Sequence, residues 1–504
     1  MTQVWGTLLT LLLTPYIVRS LGAEKYGTFS LVLVVANYIS IMDLGFEWAA
    51  TKFVAECAAE KDYERMGRIV RTSFWTTLVL GVVLCLGLLI MAPWLVNSVF
   101  NTPTGTEEVL TIGILLSGTC LVGLLLSNLC FGILKGLQRF DLVMGCSALS
   151  LTLRMAGYVV LLAAGYDLIA LWVLTLASFG LSLLLALISL RSLIPSFSLF
   201  PQINLSELQR ILGFSIYSFG TRLSTMPYFY LDKLFISAML PISSLAYYVI
   251  PFNLAQRIGG LGGAAVSVLF PSASELKHDR AGLCELYRHA ARLAYPVILP
   301  GCVVVAMVGP EFIGHWLGKD FREFGEMPLI LTALGFAASV LGSIDGTFTE
   351  ALGRPRIRTI IYGTLACISL PACYLLTEEF GITGTATTVA LAFCLGALAD
   401  VLYFQLAVMK DWWFLRSVLP RSIILVASGC VVGWASLPCT GGLTSTLVVG
   451  VTLYALMVCI GVYLFHGRQK CRDYVASTLN LLSDRLPVSF WPGLERHGKR
   501  HSDR

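Results

Sequence analysis

Charge is scarce in this chain. Asp, Glu, Lys and Arg make up 13% of its 504 residues, hydrophobic residues 56%, and mean hydropathy is +0.78. A soluble domain carries about a quarter charged residues, so this chain cannot cover itself with polar surface in water and reads as a polytopic membrane protein. Histidine is rarer still, six residues without metal-ligand spacing. The 14 cysteines stand singly, mostly inside apolar runs, with no CxxC pair or Cys/His cluster. That excludes a zinc site and a disulfide framework, and leaves the thiols as small apolar side chains. Also missing are GxSxG, a Walker loop, HExxH and a Gly-rich fingerprint after a strand. No enzymatic activity, catalytic residue, metal, cofactor or nucleic-acid partner is therefore expected. The chain cannot hydrolyse ATP itself, and energy must come from an ion gradient, the membrane potential or consumption of the product. No basic residue precedes Arg19 and no small-residue cleavage site follows, so the start does not read as a signal peptide. Residues 1–18 read as a first helix short of the roughly 20 residues a span needs, which leaves a start further upstream open.

What is present is long apolar stretches bounded by polar or Gly/Pro turns. Fourteen are predicted to span: 1–18, 28–48, 73–97, 109–133, 142–164, 168–190, 211–238, 245–270, 290–309, 327–349, 357–376, 382–408, 420–437 and 444–465. Charges interrupt 211–238. The even-numbered connections hold Lys52, Lys61, Arg65, Arg68, Arg71, Lys135, Arg139, Arg191 and Arg210 in the first half, and Lys277, Arg280, Arg288, Arg292, Arg354, Arg356, Arg358, Lys410, Arg416 and Arg421 in the second. The odd-numbered ones hold only Arg19, Lys25, Lys319 and Arg322. The positive-inside rule puts the even loops and both termini in the cytoplasm. The tail agrees, with Arg468, Lys470 and Arg472 after the last span, and reads either as a basic interfacial helix or as a basic disordered segment. The longest external loop, about 310–326, is too short to be a domain.

The chain repeats. Leu21-Gly-Ala-Glu-Lys-Tyr-Gly-Thr-Phe-Ser lies over Leu240-Pro-Ile-Ser-Ser-Leu-Ala-Tyr-Tyr-Val, and Val54-Ala-Glu over Ala273-Ser-Glu, at one shift. Lys135-Gly-Leu-Gln-Arg139 lies over Leu352-Gly-Arg-Pro-Arg356, and Gly165-Tyr-Asp-Leu-Ile-Ala over Gly381-Ile-Thr-Gly-Thr-Ala, at nearly the same shift. Copies an even number of spans apart enter the membrane in the same sense, so the relating axis runs along the membrane normal. The expected fold is all-α, about 14 transmembrane helices in two six-helix lobes with a pseudo-twofold, plus two peripheral C-terminal helices. The units are 1–190 (N-terminal lobe), 191–210 (cytoplasmic linker), 211–408 (C-terminal lobe), 409–465 (two added helices) and 466–504 (basic cytoplasmic tail). Two such lobes enclose a midplane cavity that opens to either side by rocking.

An ionisable group at the bilayer centre costs about 2.5–3.5 kcal/mol on insertion scales, so such groups face a cavity or one another. Arg154 lies midway along 142–164, Arg222 and the Asp232-Lys233 pair interrupt 211–238, and Arg257 lies mid-span in 245–270. The acids are Asp43, Asp345, Glu350 and Asp400. Two readings stand side by side. One is a cationic cavity for an anionic head group, built from Arg154, Arg222, Lys233 and Arg257, since the planar guanidinium fork suits phosphate. The other is ion pairs that lock the lobes, such as Arg222 or Arg257 with Asp345, together with membrane-edge residues that snorkel. Asp232, Asp345, Asp400 and Asp43 are candidates for cavity ion pairs or coupling. Asp43, beside Gly45, reads rather as a helix-end feature, and Glu350 as structural. Asp232 and Lys233 point about 100° apart on a helix, so one is expected at the cavity and the other at the outer interface.

Arg19-Ser-Leu-Gly-Ala-Glu-Lys-Tyr-Gly-Thr-Phe-Ser, then Asp43-Leu-Gly and Ala49-Ala-Thr-Lys-Phe-Val-Ala-Glu56, resembles the opening signature of the polysaccharide biosynthesis export family. These are flippases of O-antigen and exopolysaccharide units within the multidrug/oligosaccharidyl-lipid/polysaccharide exporter superfamily. The resemblance implies a two-lobed bundle in the cell inner membrane that moves oligosaccharide on undecaprenyl pyrophosphate from the cytoplasmic to the outer leaflet by alternating access. A polysaccharide polymerase and a chain-length regulator are the partners it suggests. Lipid II flippases of this superfamily carry an Arg-Asp pair in the first helix where Leu13-Thr14 stand here, which argues against a peptidoglycan precursor as cargo. The alternative function is a cation-coupled multidrug exporter of the same fold, which needs a cavity acid such as Asp43, Asp345 or Asp400. A glycan polymerase or transferase is a third, disfavoured by the short external loops.

Overall fold

The computed structural model describes residues 2–40, 43, 45–101, 105–194, 200, 203–213, 215, 219, 232–267 and 269–466. The described residues are helical, with no strand among them. Ten helices are long and apolar enough to cross a membrane. Two of the ten are each a pair of helices joined at a non-helical glycine. Helix α1 (Thr2–Ser40) is two helices joined at Gly22, whose φ of 76° suits a residue without a Cβ. The helix α12 (Pro355–Tyr403) is likewise two joined at Gly381, φ 60°. There Thr377 Oγ1 and Thr385 Oγ1 stand 2.7 Å apart, although eight residues of straight helix would separate them by about 12 Å. The chain therefore doubles back at Gly381.

Between these run α2 (Phe46–Glu60), α3 (Tyr63–Trp94), α4 (Glu107–Gly136), α5 (Phe140–Ala163) and α6 (Leu168–Leu193). The second half holds α7 (Asp232–Met239), α8 (Ile242–Ser267), α9 (Phe270–Glu275), α10 (Arg280–Leu317) and α11 (Lys319–Ala351). After α12 come α13 (Leu419–Ser436) and α14 (Leu443–His466). A helix lies at each predicted span except 211–238, most of which falls outside the described residues, as does the tail beyond 466.

Lipid tails are as apolar as leucine, so helices in a bilayer associate by close packing at small residues. Gly132 and Gly136, one turn apart on α4, let α2 approach until a Cβ at either would stand 2.7 Å from a backbone oxygen of Glu47 or Thr51. Lys135 Nζ then reaches Glu47 at 2.8 Å. On α11, Gly335 and Gly342 do the same against Ala390 and Ala397 of α12. Helices α2–α6 pack on one another, as do α7–α14, and the halves meet chiefly where α1 lies against α8.

The repeat is visible in the turns. After α4, the N–H groups of Leu137, Gln138 and Arg139 donate to Ile133, Lys135 and Leu134. After α11, those of Leu352, Gly353 and Arg354 donate to Phe348, Glu350 and Thr349, the same three bonds. Gln138 and Gly353 both take positive φ. This moves the sequence register by two residues, since it pairs Gly353 with Gln138 rather than with Gly136. Asp62 and Asp279 cap α3 and α10 alike, accepting from Arg65 N–H and Gly282 N–H. Gly165 and Gly381 share positive φ, as the alignment of their segments requires.

Candidate functional site

On the first arm of α1, Thr7, Thr10 and Thr14 fall at helical spacing and share a face. Thr10 and Thr14 donate their hydroxyls to the carbonyls of Gly6 and Thr10, at 2.7 and 2.6 Å. That bond leaves the Thr10 oxygen's lone pairs directed outward, where Arg257 of α8 donates to it at 3.2 Å and to Thr7 Oγ1 at 2.8 Å. Arg257 thereby crosses from the second half to the first. It forms no ion pair with a described residue.

Around this contact α1, α4, α5, α6 and α8 enclose a cavity of about 790 Å³. Its wall carries the threonines, Arg257, Asn37, Asn253, Ser117, Tyr158, Thr175, Trp172 and Arg154. Arg154 sits roughly 20 Å along α5, its guanidinium 5.5 Å from the centre of the Phe179 ring, and it too forms no ion pair with a described residue. Its Nε and the indole Nε1 of Trp172 are buried donors without a partner among the described residues. Tyr158 donates to Thr175 Oγ1 at 2.6 Å, and Thr175 passes its own proton to the Leu171 carbonyl at 2.8 Å. The lining contains two guanidinium groups and no Asp or Glu.

A second chamber of about 480 Å³ continues between α1 and α8, sharing Tyr26, Phe29, Leu33, Asn37 and Asn253 with the first. Lys233 is on its wall. The expectation that Asp232 and Lys233 part company is corrected here. Both are buried, and Lys233 Nζ lies 3.1 Å from Asp232 Oδ2 and 3.7 Å from the centre of the Phe252 ring. Tyr248 donates to the same Asp232 oxygen at 2.6 Å. The long Lys233 side chain folds back toward its neighbour because an unpaired buried charge costs more than the bend.

A third, smaller chamber of about 150 Å³ opens beside Arg154 between α4, α5 and α6. Ser and Asn side chains and the rings of Phe131 and Phe179 line it.

The remaining candidates stand elsewhere. Asp43 accepts from Gly45 N–H at 2.8 Å, its carbonyl accepts from Phe46 N–H, and it shapes the entry to α2. Asp345 is fully buried in the second half, accepting from Tyr287 Oη at 3.0 Å and Gln405 Nε2 at 3.5 Å, with Oδ2 unpartnered among the described residues. It does not pair with Arg257, so that lobe-locking contact is corrected as well. Asp400 accepts from Tyr362 at 2.9 Å and lies 3.6 Å from Arg358, which also pairs with Glu350 at 2.8 Å. None of the three acids lines a chamber described above. Arg222 lies outside the described residues. Sequence reading missed Thr7 and Thr10, whose spacing was the available signal. It also counted Arg358 as a loop charge, although this residue is held within an ionic network.

A family profile described as "Polysaccharide biosynthesis protein" matches residues 17–326. The "Putative O-antigen transporter" of Shigella flexneri is 21% identical over 407 residues, covering 78% of this chain and 92% of its own length. The "Probable low-salt glycan biosynthesis flippase Agl15" of Haloferax volcanii is 21% identical over 447 residues, covering 86% and 88%. Among solved structures, the lipid II flippase MurJ in an inward closed conformation superposes with a TM-score of 0.68 at 16% identity, covering 94% of this chain and 98% of that one. An inward-facing multidrug resistance transporter of the MATE family gives 0.67 at 16% identity, covering 81% and 95%. These two likenesses show a shared fold.

Proposed function

Because this chain belongs to the polysaccharide biosynthesis protein family, we propose that it is a flippase for a lipid-linked glycan. The cargo is an oligosaccharide unit on undecaprenyl pyrophosphate, moved from the cytoplasmic to the outer leaflet by alternating access. The protein would sit in the cell inner membrane with both termini in the cytoplasm, following the basic even-numbered loops. The names of the relatives, an O-antigen transporter and a glycan flippase, support this class of cargo.

One observation carries the reading. The main cavity presents Arg154 and Arg257, neither neutralised by a described carboxylate, on a wall free of Asp and Glu. A guanidinium left without an anion inside a membrane protein awaits one from outside, and its fork geometry matches phosphate oxygens. The multidrug-exporter alternative needs an acid where these two cations stand, and Asp345 and Asp400 are buried away from it.

Arg257 also suggests how the halves are coupled to cargo. Its hydrogen bonds to Thr7 and Thr10 join α8 to α1 across the interface of the halves. A pyrophosphate that draws the guanidinium away weakens that bridge, so binding and rearrangement are linked through one side chain.

The test is complementation in a strain whose surface polysaccharide depends on this protein. Arg154→Ala and Arg257→Ala are each expected to abolish surface glycan and to accumulate lipid-linked units facing the cytoplasm. Wild-type surface glycan from both variants would refute the proposal.

A further inference from the structure

Resting on the reading above, we infer that the small chamber beside Arg154 is a subsite for one sugar ring of the cargo, the ring attached to the pyrophosphate. The chamber shares Leu124, Ser147, Leu151, Arg154 and Phe179 with the main cavity, so the two communicate past the guanidinium. A phosphate held by Arg154 places the sugar bonded to it within one glycosidic linkage of this opening.

The wall is built for hydroxyl groups. Asn128, Ser147, Ser150 and Ser182 line it, and their side chains make no hydrogen bond with another described residue. Helical serines ordinarily return their protons to the preceding turn, as Ser127 does to Gly123 O and Ser178 to Thr175 O on the same wall. Ser150 does not. It is 6% exposed, and its Oγ is buried with no partner among the described residues. Leaving such a group unsatisfied is unfavourable, and a ligand hydroxyl entering the chamber removes that cost. Phe131 and Phe179 supply apolar faces for the C–H side of a pyranose, and the volume of about 150 Å³ admits a single ring rather than a chain. The physical consequence is selectivity: a site whose buried polar groups are satisfied by particular hydroxyls rejects a ring that lacks or inverts them.

The experiment uses the full-length protein in nanodiscs and measures binding of undecaprenyl pyrophosphate, bare or carrying one glucose, galactose or N-acetylglucosamine. At least one sugar is expected to tighten binding about tenfold over the bare carrier. Ser150→Leu, which fills the chamber, and Asn128→Ala, which empties it, should each cut that increment to less than twofold. Ser150→Ala, which adds no bulk, decides the matter where Ser150→Leu does not fold. The inference is overturned if no sugar tightens wild-type binding, or if the increment survives in Ser150→Ala and Asn128→Ala. Failure of the bare carrier to bind the wild type, or wild-type binding by Arg154→Ala, would instead overturn the flippase reading.

Discussion

Arg154→Ala separates a binding residue from a structural one, because the two roles predict opposite effects on stability. The Arg154 guanidinium has no described carboxylate partner, and its Nε lacks any hydrogen bond among the described residues. Removing it orphans no acid. An arginine within a span costs about 2.5–3.5 kcal/mol on insertion scales, and a water-filled cavity lowers that cost, so the variant should gain between zero and about 3 kcal/mol of stability. On the proposed reading, the same substitution would also remove a bidentate phosphate contact. Each charge-assisted hydrogen bond is worth about 1.5 kcal/mol or more, so affinity for undecaprenyl pyrophosphate should fall roughly 150-fold or more. Lys at this position keeps the charge but not the fork, and should recover part of the loss. Thermal unfolding of the detergent-solubilised protein, run beside a carrier-binding titration, reads both quantities. A variant that unfolds several degrees lower while binding the carrier normally would show that Arg154 holds the helices together, and the reasoning would fail.

Arg358→Ala should behave in the opposite way, because it strands Asp400 and Glu350 (Arg358 side chain 22% exposed); a loss of about 3–5 kcal/mol is expected, read as a sharply lowered unfolding midpoint or lost expression. Gly342→Val should destabilise by at least about 1–3 kcal/mol, since even a Cβ would stand 2.7 Å from Ala397 Cα across the α11–α12 contact; an unchanged midpoint would contradict the packing. At the α6 start, Asp167 feels some burial, but Lys25 and the Leu168 N–H hold its carboxyl below the usual carboxylate range. A depressed carboxyl contributes stability above its unfolded value near pH 3.9, which is lost as pH falls through the lower folded value. The pair is exposed, so Asp167→Asn should cost less than about 1 kcal/mol at pH 7, and the difference from wild type should vanish in strongly acidic buffer.

Much of this architecture was legible because membrane physics is simple. Spans announce themselves by length and apolarity, and the positions of the helices follow from that alone. Legibility ended where contacts were made across the chain. Gly22 and Gly381 could be recognised as junctions, yet nothing local said that Thr377 would meet Thr385. Arg154 was readable as buried by its depth in a span, and its lack of a carboxylate partner is what the structure adds. Arg257 was readable as buried too, but its partners are threonines some 250 residues away, and hydroxyls carry no charge signal. Arg358 was misread because a basic residue three positions beyond a proline turn looks like any loop cation. Its burial depends on Asp400, which returns to it only after α12 doubles back.

The two halves then pose a question of chemistry rather than fold. With the register fixed by the matched turns, Arg154 corresponds to Ser369, Arg358 to Val143, Asp345 to Cys130 and Asp400 to Leu184. No charged group in this set has a charged counterpart. The halves therefore share helix starts and turn bonds, which packing enforces, while these four charges within the bundle differ between them. The first half contributes the unneutralised Arg154 to the chamber. In the second, Arg358 is tied to Glu350 and Asp400 within its own helices. On the proposed reading, Arg154 of α5 and Arg257 of α8 would meet one anion from opposite halves, so separating the halves would divide the binding site and release would accompany the motion.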